Sequence, residues 1–141
     1  EGCLNLWQIA VKPGKPLAFG EVRRSGDDTA FFLGLPGNPV SSLVTFLLFV
    51  RPFILRLQGA TDTAPKTFPM RADFTWQKPD RRNEFLRARI NQDGGLDLFP
   101  NQSSAVLTSS VWGDGLIDNP PGQAIAAGDT VRFMPFAELL Y

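Results

Sequence analysis

The sequence contains no histidine and only one cysteine, Cys3, among its 141 residues. The first absence removes His-based triads, His metal sites and imidazole acid/base catalysis from this chain. The second excludes an internal disulfide framework and a Cys-rich zinc site, and leaves Cys3 to be read as buried filler. Charge of one sign is missing as well, since 14 basic residues balance 14 acidic ones. No broad basic field exists to attract nucleic acid or an anionic membrane. The N-terminus shows no basic region followed by an apolar stretch, so no signal peptide is expected. The most apolar run, Val40 to Val50, includes two serines and a threonine and ends at Arg51-Pro52. On length it is read as too short for a membrane span. A soluble, reducing compartment is the resulting expectation. Any chemistry must come from lysines, arginines, carboxylates, hydroxyls and backbone amides.

What is present is globular in composition, 43% hydrophobic and 20% charged. The chain is organised around Phe31 to Ser42. Phe31 to Leu35 reads as a short buried strand, and Pro36-Gly37 as a tight loop. Asn38 suits an N-cap and Pro39 the first helical position, where a missing N–H is harmless. The helix then runs from Pro39 to about Gln58, with Gly59 as its C-cap. Pro52 inside it should produce a kink. Being apolar on nearly every side, this helix needs cover all round. Its N-terminus, beside the end of a strand, is either a simple turn of the chain or an anion site.

Two strands are expected before this unit, over Leu4 to Val11 and Leu17 to Val22. Between them, Lys12-Pro13-Gly14-Lys15-Pro16 places two lysines on a turn that proline and glycine can make rigid. That turn is either a grip for an oxyanion or a solvated lysine-bearing hairpin. After a polar linker from Ala60 to Lys66 the pattern changes to short alternating runs. Phe68 to Phe74 and Glu84 to Ile90 read as strands, the latter half-buried. The Asn91 to Gly95 turn and Leu96 to Phe99 complete a hairpin. Arg87 and Arg89 share a strand face, either solvated or functional. Asn101 to Trp112 suits a short helix or an ordered loop, in which Ser103, Ser104, Ser109 and Ser110 serve as caps or line a site. Gly115 to Asp118 and Thr130 to Phe136 are further strands, and close turns between short strands point to a small β-barrel or sandwich.

Lys12 to Pro16, followed by Gly34-Leu35-Pro36-Gly37-Asn38-Pro39-Val40-Ser41, resembles the MoeA family of molybdopterin molybdenumtransferases, including the E domain of gephyrin. The resemblance implies an α/β plus all-β fold: residues 1–60 as the C-terminal part of a MogA-like, molybdopterin-binding α/β domain, and residues 66–141 as a small C-terminal β-barrel domain. It implies insertion of molybdate into the dithiolene of adenylylated molybdopterin with release of AMP, by a cytoplasmic homodimer that requires Mg2+. Lys12 and Lys15 match the family's motif lysines, as catalytic and substrate-binding groups. Pro36 and Pro39, with Gly37 and Asn38 between them, match its rigid active-site loop. Arg87, and Ser109 or Ser110, are the candidates for an arginine and a serine that the family's C-terminal domain contributes.

Family members are much longer than this chain, and their Mg2+-binding residues lie mostly upstream. The chain is therefore expected to be a C-terminal fragment, inactive alone. The competing reading is a non-catalytic dimerisation, scaffold or peptide-binding module on the same fold.

Overall fold

In this computed structural model the described residues are 10–14, 17–103 and 107–140, together with the backbone of residues 2–7. Lys15, Ser104 and the side chain of Cys3 lie outside them.

The first sheet has three antiparallel strands in the order β1, β3, β4. These are β1 (Gly2–Trp7), β3 (Leu17–Arg23) and β4 (Thr29–Gly34). Their register runs from Gly2 opposite Val22 and from Ala18 opposite Gly34. The Leu4 to Val11 stretch is thus split, because Val11 and Lys12 leave this sheet as β2 (Val11–Lys12). β2 pairs parallel with a strand of the second sheet, Val11 opposite Asn83.

β4 is not the buried strand its composition suggested. Phe31 is 43% exposed and Phe32 48% exposed. The reason is position: β4 is an edge strand, and the following helix turns its buried side to the other sheet. The cover given to β4 comes from an aromatic trio, in which Phe53 stands edge-on to Phe19 and Phe31 at 5.7 and 5.4 Å.

The long helix has three parts, α1 (Pro39–Thr45), a π-helical turn (Phe46–Val50) and α2 (Arg51–Leu57). Pro39 occupies the first turn, and Asn38 has the extended backbone of an N-cap residue without a side-chain capping bond. The expected disturbance at Pro52 appears as the π turn. Pro52 donates no N–H and its ring crowds the preceding turn, and the Arg51 N–H reaches back to Phe46 O across a widened ring. The helix ends as a Schellman motif. Gly59, with φ +92°, donates to Arg56 O, and Ala60 donates to Leu55 O, both at 3.0 Å.

At 19 residues, Pro39–Leu57 is long and apolar enough by composition to cross a membrane, so the argument from shortness does not hold. Its first half packs as a core element, while no residue of α2 is buried. Val40, Val44 and Leu47 form one hydrophobic cluster with Phe85, Leu116, Met134 and Leu139.

The second sheet comprises β2, β5 (Phe68–Arg71), β6 (Asn83–Ile90), β7 (Leu96–Leu98), β8 (Gly115–Asn119) and β9 (Thr130–Pro135). Its order is β2-β6-β8-β9-β5, with β7 paired to β6. A parallel bridge from Ala72 to Leu96 links the end of β5 to β7. Short helices α3 (Thr108–Trp112) and α4 (Phe136–Leu140) flank it.

β6 is not half-buried as its pattern suggests: Glu84 to Ala88 are all buried. Its alternating faces meet different cores. Phe85 packs with the long helix, while Leu86 and Ala88 join a second cluster with Ala72, Leu96, Ile117, Ile125 and Phe133. Arg87 is therefore not on a solvated strand face: only 1% of it is exposed. Arg89, two residues on, does reach the surface, and its guanidinium lies 4.5 Å from the centroid of the Trp112 ring.

Candidate functional site

β2 carries Lys12 to the junction of the two sheets, where its neighbour Pro13 and then Gly14 are buried. The Lys12–Pro13 bond is cis. Gly14 has φ +149°, and a Cβ there would stand 3.3 Å from Thr45 Oγ1 in α1. The positive φ favours glycine, and any side chain here would press on Thr45. The lysine-bearing stretch is thus not a free hairpin.

A cleft of about 550 Å³ opens at this point. Its first wall is Lys12, Pro13 and Gly14, and its second is Pro36, Asn38 and Ser41 from the loop and first helical turn. The opposite side is Trp76, Arg82, Gln102 and Ser103. Among the residues expected at the site, Lys12, Pro36 and Asn38 are brought together. Gly37 and Pro39 are exposed beside them without lining the cleft.

Arg87, Ser109 and Ser110 stand behind the far wall. Arg87 Nε donates to Ser109 Oγ at 3.2 Å, Nη1 to Phe85 O at 3.1 Å and Nη2 to Ser103 O at 3.3 Å. All three acceptors are uncharged, and burial alone pulls the Arg87 guanidinium down to about 10. The Gln102 amide accepts from the Arg87 N–H at 2.9 Å and donates to Arg87 O at 3.1 Å, continuing the pairing of β6 where β7 has ended. Arg87 thus braces the Gln102–Ser103 wall from within. Ser110 Oγ is buried and has no hydrogen-bond partner among the described residues.

The cleft's charged groups form a network that motif reading missed. Arg82 binds Asp80 in a fork, Nε to Oδ1 at 2.9 Å and Nη2 to Oδ2 at 3.2 Å. That fork, with the Arg82 backbone N–H, holds the Asp80 carboxyl well below the usual carboxylate range. Glu84, buried at the start of β6, accepts from Trp76 Nε1 and from the Asp80 N–H, both at 3.0 Å. Lys12 Nζ lies 3.5 Å from Asp80 and 3.9 Å from Glu84. These are loose ion contacts rather than short hydrogen bonds, so the ammonium keeps donors for an incoming anion. The available signal was the charge-dense run Asp80-Arg81-Arg82-Asn83-Glu84 ahead of a strand.

Among the described residues no group of three or more Asp, Glu or Cys side chains gathers as metal ligands. Asp80 and Glu84, the carboxylates beside the cleft, are engaged by Arg82, Trp76 and Lys12, so the residues present do not make a Mg2+ site.

The overall arrangement is that of molybdopterin-biosynthesis proteins. The molybdopterin biosynthesis moeA protein of Pyrococcus horikoshii superposes with a TM-score of 0.69 over 93% of this chain and 32% of its own, at 21% identity. A molybdenum cofactor biosynthesis protein of Pyrococcus furiosus gives 0.72 over 94% of this chain and 46% of its own. Residues 69–136 match the MoeA C-terminal region (domain IV). Molybdopterin molybdenumtransferase of Haemophilus influenzae is 38% identical over 146 residues, covering 99% of this chain and 35% of that protein. The enzyme of the same name from Synechococcus elongatus is 32% identical over 92% of this chain and 31% of its own length. The chain thus spans about a third of these two relatives.

Proposed function

We propose that this chain is the part of a molybdopterin molybdenumtransferase that supplies one side of the molybdate-insertion cleft. The observation that carries the reading is the meeting of Lys12 with the Pro36–Asn38 loop in one polar cleft. Two motifs separated in sequence converge there, and the relatives named for this activity align over nearly the whole chain. The reaction is insertion of molybdate into the dithiolene of adenylylated molybdopterin, with release of AMP, in a cytoplasmic homodimer.

On this reading Lys12, joined by Lys15, attracts molybdate or a substrate phosphate and orients it against the first amides of the helix. Pro36 and Pro39 restrict the loop, so its dipoles need little reorganisation as charge shifts. Arg87 and Ser109 hold the opposite wall rather than touching substrate. The Mg2+ ligands belong to the part of the enzyme that this chain does not span. The two sheets then correspond to the end of a MogA-like domain and a small barrel, a reading supported by the Ala72–Leu96 bridge between β5 and β7.

A chimera tests this. The C-terminal third of the Haemophilus influenzae relative is replaced by this chain and expressed in cells lacking their own transferase. Restored molybdoenzyme activity is expected, with loss of at least tenfold on Lys12→Ala, and no turnover from the 141 residues alone. A well-folded but inactive chimera would overturn the proposal.

A further inference from the structure

The cleft contains a side chain that neither Lys12 nor the proline loop explains. Trp76 is a large apolar ring in a wall otherwise made of Arg82, Gln102 and Ser103. It is held unusually firmly for a residue between strands. Its backbone exchanges two hydrogen bonds with Ile125, at 2.8 and 2.9 Å. Its indole Nε1 donates to Glu84 Oε1 at 3.0 Å. The ring is partly buried, packing against the cluster that contains Ile125 while also lining the cleft. Trp76 and Lys12 bracket the same carboxylate, since Glu84 Oε2 lies 3.9 Å from Lys12 Nζ.

A fixed indole beside a cation is suited to a molecule that is both flat and anionic. We propose that Trp76 is the platform on which a planar heteroaromatic ring of the ligand stacks, while its phosphate or oxyanion end lies at Lys12 and the Pro36–Asn38 loop. The ring slides over an apolar face whose orientation is already set by Glu84 and Ile125, so little side-chain freedom is lost on binding. Stacking of this kind tolerates different heterocycles, because each has a π-face. The site therefore selects a ring-bearing phosphate over a bare one without reading the ring's edge. The inference rests on the function proposed above, whose adenylylated substrate carries flat rings next to phosphates.

The test uses AMP and ribose 5-phosphate, which share a phosphate and differ by the ring, titrated calorimetrically into the full chain. AMP should bind roughly tenfold or more tightly than ribose 5-phosphate. Trp76→Phe and Trp76→Leu both remove the N–H bond to Glu84 and keep apolar bulk, and only the first keeps an aromatic face. The AMP preference should survive in Trp76→Phe and vanish in Trp76→Leu, with ribose 5-phosphate affinity the same in the two variants. Near-UV circular dichroism reports whether each variant keeps its packing. Equal affinity for the two probes in the unaltered chain, no AMP binding, or an unaltered preference in Trp76→Leu would overturn the platform. The chimera's activity is read separately, so a failed platform and a failed transferase reading are told apart.

Discussion

Arg87 carries a positive charge into a place where its acceptors among the described residues are neutral, Ser109 Oγ and two backbone carbonyls. Removing one of them leaves a buried N–H without a partner, which is more damaging than removing donor and acceptor together. Ser109→Ala should therefore lower stability by about 1–3 kcal/mol in urea unfolding. Adding Ser109→Ala to Arg87→Met should have little further effect, because the orphaned donor is gone. The 91–95 turn offers a pH test. The Arg71 guanidinium and the Asn91 amide bind Asp73 and hold it at about 2, below the ordinary 3.8. A carboxyl lowered on folding adds stability that is complete above the unfolded value and is lost as pH falls through the folded one. Melting temperature should drop between about pH 4 and pH 2, and less steeply in Asp73→Asn, with Asp80 still titrating in the unaltered way. At this scale the sequence showed the cationic and loop members of the cleft through their spacing. It hid Trp76, Asp80, Arg82 and Glu84, whose partnership depends on an irregular stretch folding back on β6.

Most elements were legible because their signals are local. Gly59 closes the long helix, Asn91 accepts from the N–H groups of Asp93 and Gly95 to shape the hairpin turn, and Pro39 starts the helix where its missing N–H does no harm. Burial was harder to read. β6 carries Arg87 and Arg89 on one face, a pattern that suggests one wet side, yet the long helix packs on Phe85 of that face and the second core takes Leu86 and Ala88 of the other. β4 is apolar from Ala30 to Leu33, yet it lies at a sheet edge. Composition records what a strand can tolerate, and topology decides what covers it. Crowding at Gly115 in β8 is likewise invisible in sequence. A Cβ there would run into Met134 O and the Phe133 ring. Both belong to β9, and Phe133 is fully buried, so neither can move aside cheaply. Gly115→Ala should destabilise by about 1–3 kcal/mol despite the better strand propensity of alanine, read as a lower urea midpoint. A neutral result would mean that β8 and β9 can separate without loss of the second core.

On the scale of the whole chain, the long helix is shared property. Its Val40, Val44 and Leu47 complete a core with Phe85, Leu116 and Met134 from the second sheet, while Phe53 reaches the first sheet through Phe19 and Phe31. This divided allegiance explains why so apolar a helix still exposes Phe46, Ile54 and Leu57, and why Phe31, Phe32 and Val22 are exposed on the first sheet. Scattered apolar residues are ordinary on a surface, but an apolar edge strand adjoining an apolar helix is a template for association. The 141-residue chain on its own should therefore self-associate, eluting earlier from a sizing column as concentration rises. Phe31→Ser with Phe32→Ser should shift it toward the monomer while leaving the second sheet folded, since neither residue belongs to its cores. A concentration-independent monomer before substitution would show that the exposed edge is tolerated as it stands. Association unchanged by the double substitution would instead direct attention to Ile54 and Leu57 on α2.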